Sequence, residues 1–191
     1  MVKNNIFQLI GGFSILISSI AYSADEIKLS PADPIAQTMI VLNGRVSIAE
    51  ANDNGEMRWA TWEDKSDKSK GVYLSLYSIE KKTAKQLWST SWPDAYRPVM
   101  RVLTEWTWHD HPTVAVTMQF GAAAAQVDLY GLDGNNKAIR LAEILTSDIE
   151  WAVNKDEDTL LIASDATPNG LKAKCYGWDE ASGKLVSKVC K

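Results

Sequence analysis

Leu129-Tyr130-Gly131-Leu132-Asp133-Gly134-Asn135-Asn136, followed by Arg140-Leu141, is the stretch that decides the fold. The chain writes it twice more. One copy is Leu76-Tyr77-Ser78-Ile79-Glu80 with Lys85 and Leu87 after it; the other is Cys175-Tyr176-Gly177-Trp178-Asp179 with Lys184 and Leu185. Each time a Tyr is followed at +2 by an apolar residue, at +3 by a carboxylate, and then by a basic residue and a Leu. Tyr, Leu, Ile and Trp favour a pleated, half-buried surface. The segments between, Glu80-Lys81-Lys82, Asp133-Gly134-Asn135-Asn136 and Glu180-Ala181-Ser182-Gly183, are turn-like, and Asp133-Gly134 and Ser182-Gly183 supply residues that tolerate positive φ. The phrase therefore predicts a β-hairpin. Leu74 and Leu76 fall on one face of its incoming strand and Tyr73, Tyr77 and Ile79 on the other, so the strand is expected to be covered on both sides.

A second hairpin precedes each phrase. Glu105-Trp106-Thr107-Trp108, a gap at His109–Pro112, and Thr113-Val114-Ala115-Val116 match Glu150-Trp151-Ala152-Val153, a gap at Asn154–Asp158, and Thr159-Leu160-Leu161-Ile162. A looser copy is Val46-Ser47-Ile48, the turn Asn52-Asp53-Asn54-Gly55, and Met57–Trp62. The chain thus reads as three tandem four-stranded units, about Gly44–Trp92, Pro98–Thr146 and Ile149–Cys190, with Ser91–Pro98 as an inter-unit crossing. A repeat of this length and strand content resembles a β-propeller blade. Closed propellers carry about four to eight blades, so three units predict an incomplete or open propeller-like array. A β-sandwich, or a homodimer joining two half-rings, is the alternative. The loops Glu63–Gly71, Phe120–Gln126 and Asp165–Leu171 fall at equivalent places and are expected on one rim.

Residues 1–23 have the layout of a signal peptide: Lys3, the apolar run Ile6–Ile20, and small residues at Ala21-Tyr22-Ser23-Ala24. The run is shorter than the roughly 20 residues of a permanent membrane span. This predicts a periplasmic or secreted protein with no stable membrane insertion after removal of the leader. Residues 24–191 then form one all-β domain, led in by Asp25–Leu42, where Ile35–Leu42 reads as a first strand, with a short helical turn as the alternative. In an oxidising compartment Cys175 and Cys190, nearly equidistant from Ser182-Gly183, are expected to form a disulfide.

The full chain carries a net charge of −4, which losing Lys3 makes more negative. That argues against nucleic acid or an anionic membrane as a partner and permits a basic protein. No Gly-x-Ser-x-Gly elbow and no Gly-rich phosphate loop is present, so no catalytic residue and no cofactor is assigned. Asp110, Asp128, Glu150 and Asp156 are the carboxylates that would have to converge for acid–base chemistry. His109 and His111, the only two histidines, would share a face on a strand and reach a metal together, but two further ligands would have to come from elsewhere. No metal site is assigned; the repeat alignment makes this stretch a polar turn.

Eight Trp serve cores and surfaces equally well. Those that break the repeat are the candidates for binding: Trp59 and Trp62 in unit one, beside Trp88 and Trp92, and Trp106 and Trp108 with His109, Asp110 and His111 in unit two. The sequence therefore predicts an exported, non-enzymatic binding protein that engages a protein of the cell envelope, such as an inhibitor or immunity-type factor. A small-ligand or glycan-binding module is the alternative, and a metal-dependent enzyme using His109 and His111 a third reading.

Overall fold

The computed structural model describes residues 22–23, 26–27, 46–52, 56–65, 70–80, 83–155 and 158–190. Most of the leader and the expected strand Ile35–Leu42 lie outside the described residues. What is described is all-β, and its sheets follow the three units. The first sheet contains β3 (Val46–Glu50), β4 (Met57–Asp64), β5 (Gly71–Glu80) and β6 (Thr83–Pro93). The second contains β7 (Ala95–Trp108), β8 (His111–Phe120), β9 (Ala124–Leu132) and β10 (Ala138–Thr146), and the third β11 (Asp148–Val153), β12 (Thr159–Thr167), β13 (Gly170–Asp179) and β14 (Lys184–Lys188). Every neighbouring pair is antiparallel. Two short strands extend the first two sheets beside their first strands. β1 (Tyr22–Ser23) pairs with β7, and β2 (Glu26–Ile27) pairs with β3. β1 thus falls on the segment where leader cleavage is expected.

The sheets stack without closing a ring. One core lies between sheets one and two and includes Trp59, Leu74, Leu76, Trp92, Met100, Val116, Met118, Tyr130 and Leu132. The other lies between sheets two and three and includes Leu103, Trp106, Ala115, Leu129 and Leu161, with Trp151, Tyr176 and Trp178 packed against it. Sheet two is apolar on both faces because it is covered on both. Sheet one also carries a small cluster on its far face, Val46, Ala60, Tyr77 and Ala84, with Ile48, Trp62 and Ile79 beside it. The two-faced character of the Tyr73–Ile79 strand is therefore real. Each repeated Tyr faces backwards along the stack: Tyr176 towards sheet two, Tyr130 towards sheet one, and Tyr77 on the face of sheet one that turns away from sheet two.

The repeated carboxylate organises its turn. Asp133 Oδ1 accepts the backbone N–H groups of Asn135 at 2.8 Å and Lys137 at 2.9 Å, and Asn136 takes the left-handed conformation at φ 58°. Those bonds hold the Asp133 carboxyl below its ordinary value. In the last copy the Ser182 hydroxyl donates to Asp179, and Gly183 N–H donates to the Asp179 carbonyl at 2.8 Å.

The crossing expected over Ser91–Pro98 is a single residue. β6 runs to Pro93, β7 starts at Ala95, and Asp94 turns the chain at φ 62°. Pro93 ends an edge strand and Pro98 sits within a register shift between Tyr96 and Val99, two places where a missing N–H is tolerated. The second crossing, Ser147, is equally short.

Cys175 and Cys190 are joined in a disulfide with Cα atoms 5.3 Å apart. They do not face one another across the ladder, because Cys175 pairs with Lys188. The turn closes with Asp179 opposite Lys184, earlier than the Ser182-Gly183 centre predicts, so Cys190 reaches back diagonally from beyond β14. The bond fits an oxidising compartment. Among the described residues no helix is long and apolar enough to cross a membrane.

Candidate functional site

A concave surface lies at one rim, where the turns of sheet one meet the β9–β10 turn of sheet two. It is a groove of about 1030 Å³. Met57 and Leu76 are buried at its base, and half-buried Trp88 forms a wall. Asn135, Asn136, Lys137 and Ala138 stand opposite, and Asn52, Glu56 and Glu80 add polar groups. Leu87 also lines it and is 46% exposed. Its exposure has a local cause. The β5–β6 ladder shifts register between Leu76 and Tyr77, so Leu87 is the extra residue of a bulge. The equivalent shift in sheet two lies between Arg140 and Ala142, and its extra residue, Leu141, packs inward.

An aromatic cluster supports the groove from behind. The Trp88 ring lies 5.3 Å from Tyr130 and 6.1 Å, edge-on, from Trp59. Trp92 meets Tyr130 at 6.2 Å. Tyr130 leads in turn to a buried carboxylate. Asp128, fully enclosed, accepts hydrogen bonds from Gln126 Nε2 at 2.7 Å, Trp92 Nε1 at 3.1 Å and the Tyr130 hydroxyl at 3.3 Å. The Arg140 guanidinium stands 3.5 Å from Asp128 and 2.6 Å from Glu143, bridging the buried acid to a half-exposed one. Burial pushes the Asp128 carboxyl above its ordinary value, against the pull of Gln126 and Arg140. Burial beside this anion also raises Tyr130, which stays a neutral hydroxyl. Since its side chain has no exposed surface, Asp128 acts as an anchor between two sheets and offers no face to a ligand.

Sequence reasoning placed Asp128 in a pool of carboxylates without a place to converge. The available signal is its position: an acid in the middle of a strand apolar on both sides, with Gln126 and Tyr130 two residues away on the same face. Nothing local pointed to Trp92, which lies 36 residues away.

The residues singled out from sequence scatter. Trp59 and Trp106 are 1% and 2% exposed and belong to the two cores, so neither forms a surface. Trp62 stacks on Tyr73 across the β4–β5 ladder, at 5.4 Å, on the far side of sheet one. Trp106 stacks on Trp178 at 5.8 Å. Trp108 reaches to sheet three and lies against Gly183, where φ is 60° and a Cβ would overlap the indole. Its departure from the repeat is thus explained by packing.

His109 and Asp110 form a two-residue turn between Trp108 and His111, both with positive φ (49° and 64°), the signature of a type I′ hairpin. The two histidines therefore do not share a strand face. The His109 ring lies edge-on to Trp108 at 4.7 Å, and His111 opens β8. Among the described residues no three His, Cys, Asp or Glu side chains come together as metal ligands.

No protein-family model, no curated protein and no solved structure matches this chain.

Proposed function

We propose that this chain is an exported, non-enzymatic binding protein that engages another protein of the cell envelope through the rim groove, as an inhibitor or immunity-type factor would. The observation that carries the reading is the groove's lip. A leucine held out by a bulge beside a half-buried tryptophan, with asparagines and charged groups around them, has the anatomy of an interface centre: apolar anchor, polar rim. At about 1030 Å³ the groove sits at the upper end of the range for small-molecule sites, which suits a side-chain cluster of a partner. The disulfide and the acidic charge support export and a basic partner.

The test places a photocrosslinking side chain at Leu87, with Leu171, 67% exposed on sheet three, as the control. In envelope extract from the host, one defined adduct is expected at Leu87 and none at Leu171. The wild-type protein should gain mass by light scattering, and Leu87→Asp should not. A wild-type mass that extract leaves unchanged overturns the proposal.

The amides of Asn52, Asn135 and Asn136 around Trp88 favour one second reading, a glycan stacked on the indole. It predicts quenching of Trp fluorescence by a member of a neutral oligosaccharide panel, abolished by Trp88→Ala.

A further inference from the structure

The first-strand edges of the three sheets differ. In sheet one β3 is extended by Glu26–Ile27, and in sheet two β7 is extended by Tyr22–Ser23, the segment that leader cleavage would remove, both antiparallel. In sheet three the first strand, β11, pairs among the described residues only with β12. We infer that the β11 edge accepts an extended segment of a protein partner that carries basic residues at alternate positions, adding one antiparallel strand to the sheet.

The hydrogen-bonding groups available there follow from register. Asn154 N–H donates to the Asp158 carbonyl at 3.0 Å, so these two are a hydrogen-bonded pair. In an antiparallel ladder such pairs alternate. Ala152, Glu150 and Asp148 then turn their backbone groups towards β12, and Ile149, Trp151 and Val153 turn theirs outward. Three N–H and three C=O groups thus face away from β12, onto an edge that no described strand covers, enough to hold a short strand by main-chain bonds, the mode of β-strand addition.

Side chains set the partner's chemistry. Ile149 and Trp151 face the core with sheet two, and Val153, on the same face, is 41% exposed. Asp148 and Glu150 are exposed on the opposite face. A strand laid against β11 places alternate side chains directly beside those two carboxylates, where cross-strand pairs of opposite charge attract and like charges repel. Lys or Arg at alternate positions fits. A second copy of this chain does not, because pairing β11 with itself brings the acidic side chains of both copies onto one face. Acidic side chains at an edge also deter unplanned self-association. The surface is separate from the rim groove and stands whether or not that groove binds a protein.

The probe is a fluorescent hexapeptide alternating lysine and valine, titrated against the full chain. Its controls are the glutamate–valine counterpart and a version N-methylated on the amides that would face β11. Binding at least about tenfold tighter than either control is expected, from two charge pairs against the glutamate peptide and from lost main-chain hydrogen bonds against the N-methylated one. The exposed double variant Asp148→Lys/Glu150→Lys should lose that preference and favour the glutamate peptide, while Leu87→Asp should leave it intact. By hydrogen exchange, the amides of Ile149, Trp151 and Val153 should exchange fast in the free protein and slow in the complex. Equal binding of all three peptides, or binding that the double variant does not change, overturns the inference. Slow exchange of those amides in the protein alone also overturns it, because the edge would already be filled by another part of the chain or by a second copy.

Discussion

The indole N–H of Trp92, on the last strand of sheet one, donates to the Asp128 carboxylate on the third strand of sheet two across 3.1 Å. With the Tyr130 hydroxyl, it ties the first aromatic cluster to the buried Asp128 carboxyl. Hydrogen bonds to charged groups contribute about 1.5–3 kcal/mol, and removing one partner of a buried pair exposes the desolvation cost of the other. Trp92→Phe keeps most of the ring and removes the donor. It should lower stability by about 2 kcal/mol in urea denaturation, a loss that shrinks when Asp128 is replaced by Asn.

Asp128 also predicts a pH dependence of unusual sign. Burial raises its folded-state value above that of the unfolded chain, so the folded protein holds the proton more tightly. The contribution of such a group is complete below the unfolded value and is lost as pH rises through the folded value. Compared with Asp128→Asn, the wild-type protein should therefore gain stability as pH is lowered from about 7 towards about 4. Asp133 and Asp165, held low by hydrogen bonds, act in the opposite sense, but they are common to both proteins and cancel in the difference. A flat difference between the two urea midpoints across this range would rule the assignment out.

Trp108 and Gly183 make a second pair with a measurable coupling. Gly183→Ala forces a Cβ into the indole and a non-glycine residue into a left-handed turn, which should destabilise by about 1–3 kcal/mol. In a Trp108→Val background, the residue found at the equivalent place in the third unit, the same change should do less damage by more than about 0.5 kcal/mol. A double-mutant cycle by thermal or urea unfolding reads this directly; strict additivity would mean that the ring does not press on the turn.

The disulfide spans 15 residues and fastens the last strand. In the chain-entropy model a loop of that size contributes about 3 kcal/mol. Cys175→Ala/Cys190→Ala should lose about that much, with the first rise in hydrogen exchange at Leu185–Lys188. Uniform exchange across all three sheets would instead point to a global role for the bond.

The hairpin phrase made the architecture legible because two periodicities agree in it: strand alternation and recurrence of the unit. Tyr77, Tyr130 and Tyr176 occupy equivalent faces, and Asp133 and Asp179 hold equivalent turns, so repetition reported physics common to each unit. The groove was not legible for the same reason in reverse. It depends on a register shift that pushes Leu87 outward in sheet one and on a turn of sheet two that faces it, neither of which leaves a local pattern. Aromatic content misled for Trp59 and Trp106. A Trp that breaks a repeat marks a place where neighbouring sheets differ, and here those differences are filled by core packing. His109 and His111 were read at strand spacing, but two residues with positive φ fold that spacing into a turn.

Asp94 and Ser147 are the whole of the two crossings between sheets. Each is also tied down, Asp94 N–H to the Lys70 carbonyl at 3.4 Å and Ser147 N–H to the Ser164 carbonyl at 3.1 Å. A hinge needs slack, and one residue supplies almost none; turning one sheet against the next would first require unzipping strand ends. Mechanically the stack is a stiff spacer. A partner that used both the rim groove and the β11 edge would have to present its two contact points at one fixed separation, so the molecule would select by span as well as by surface chemistry.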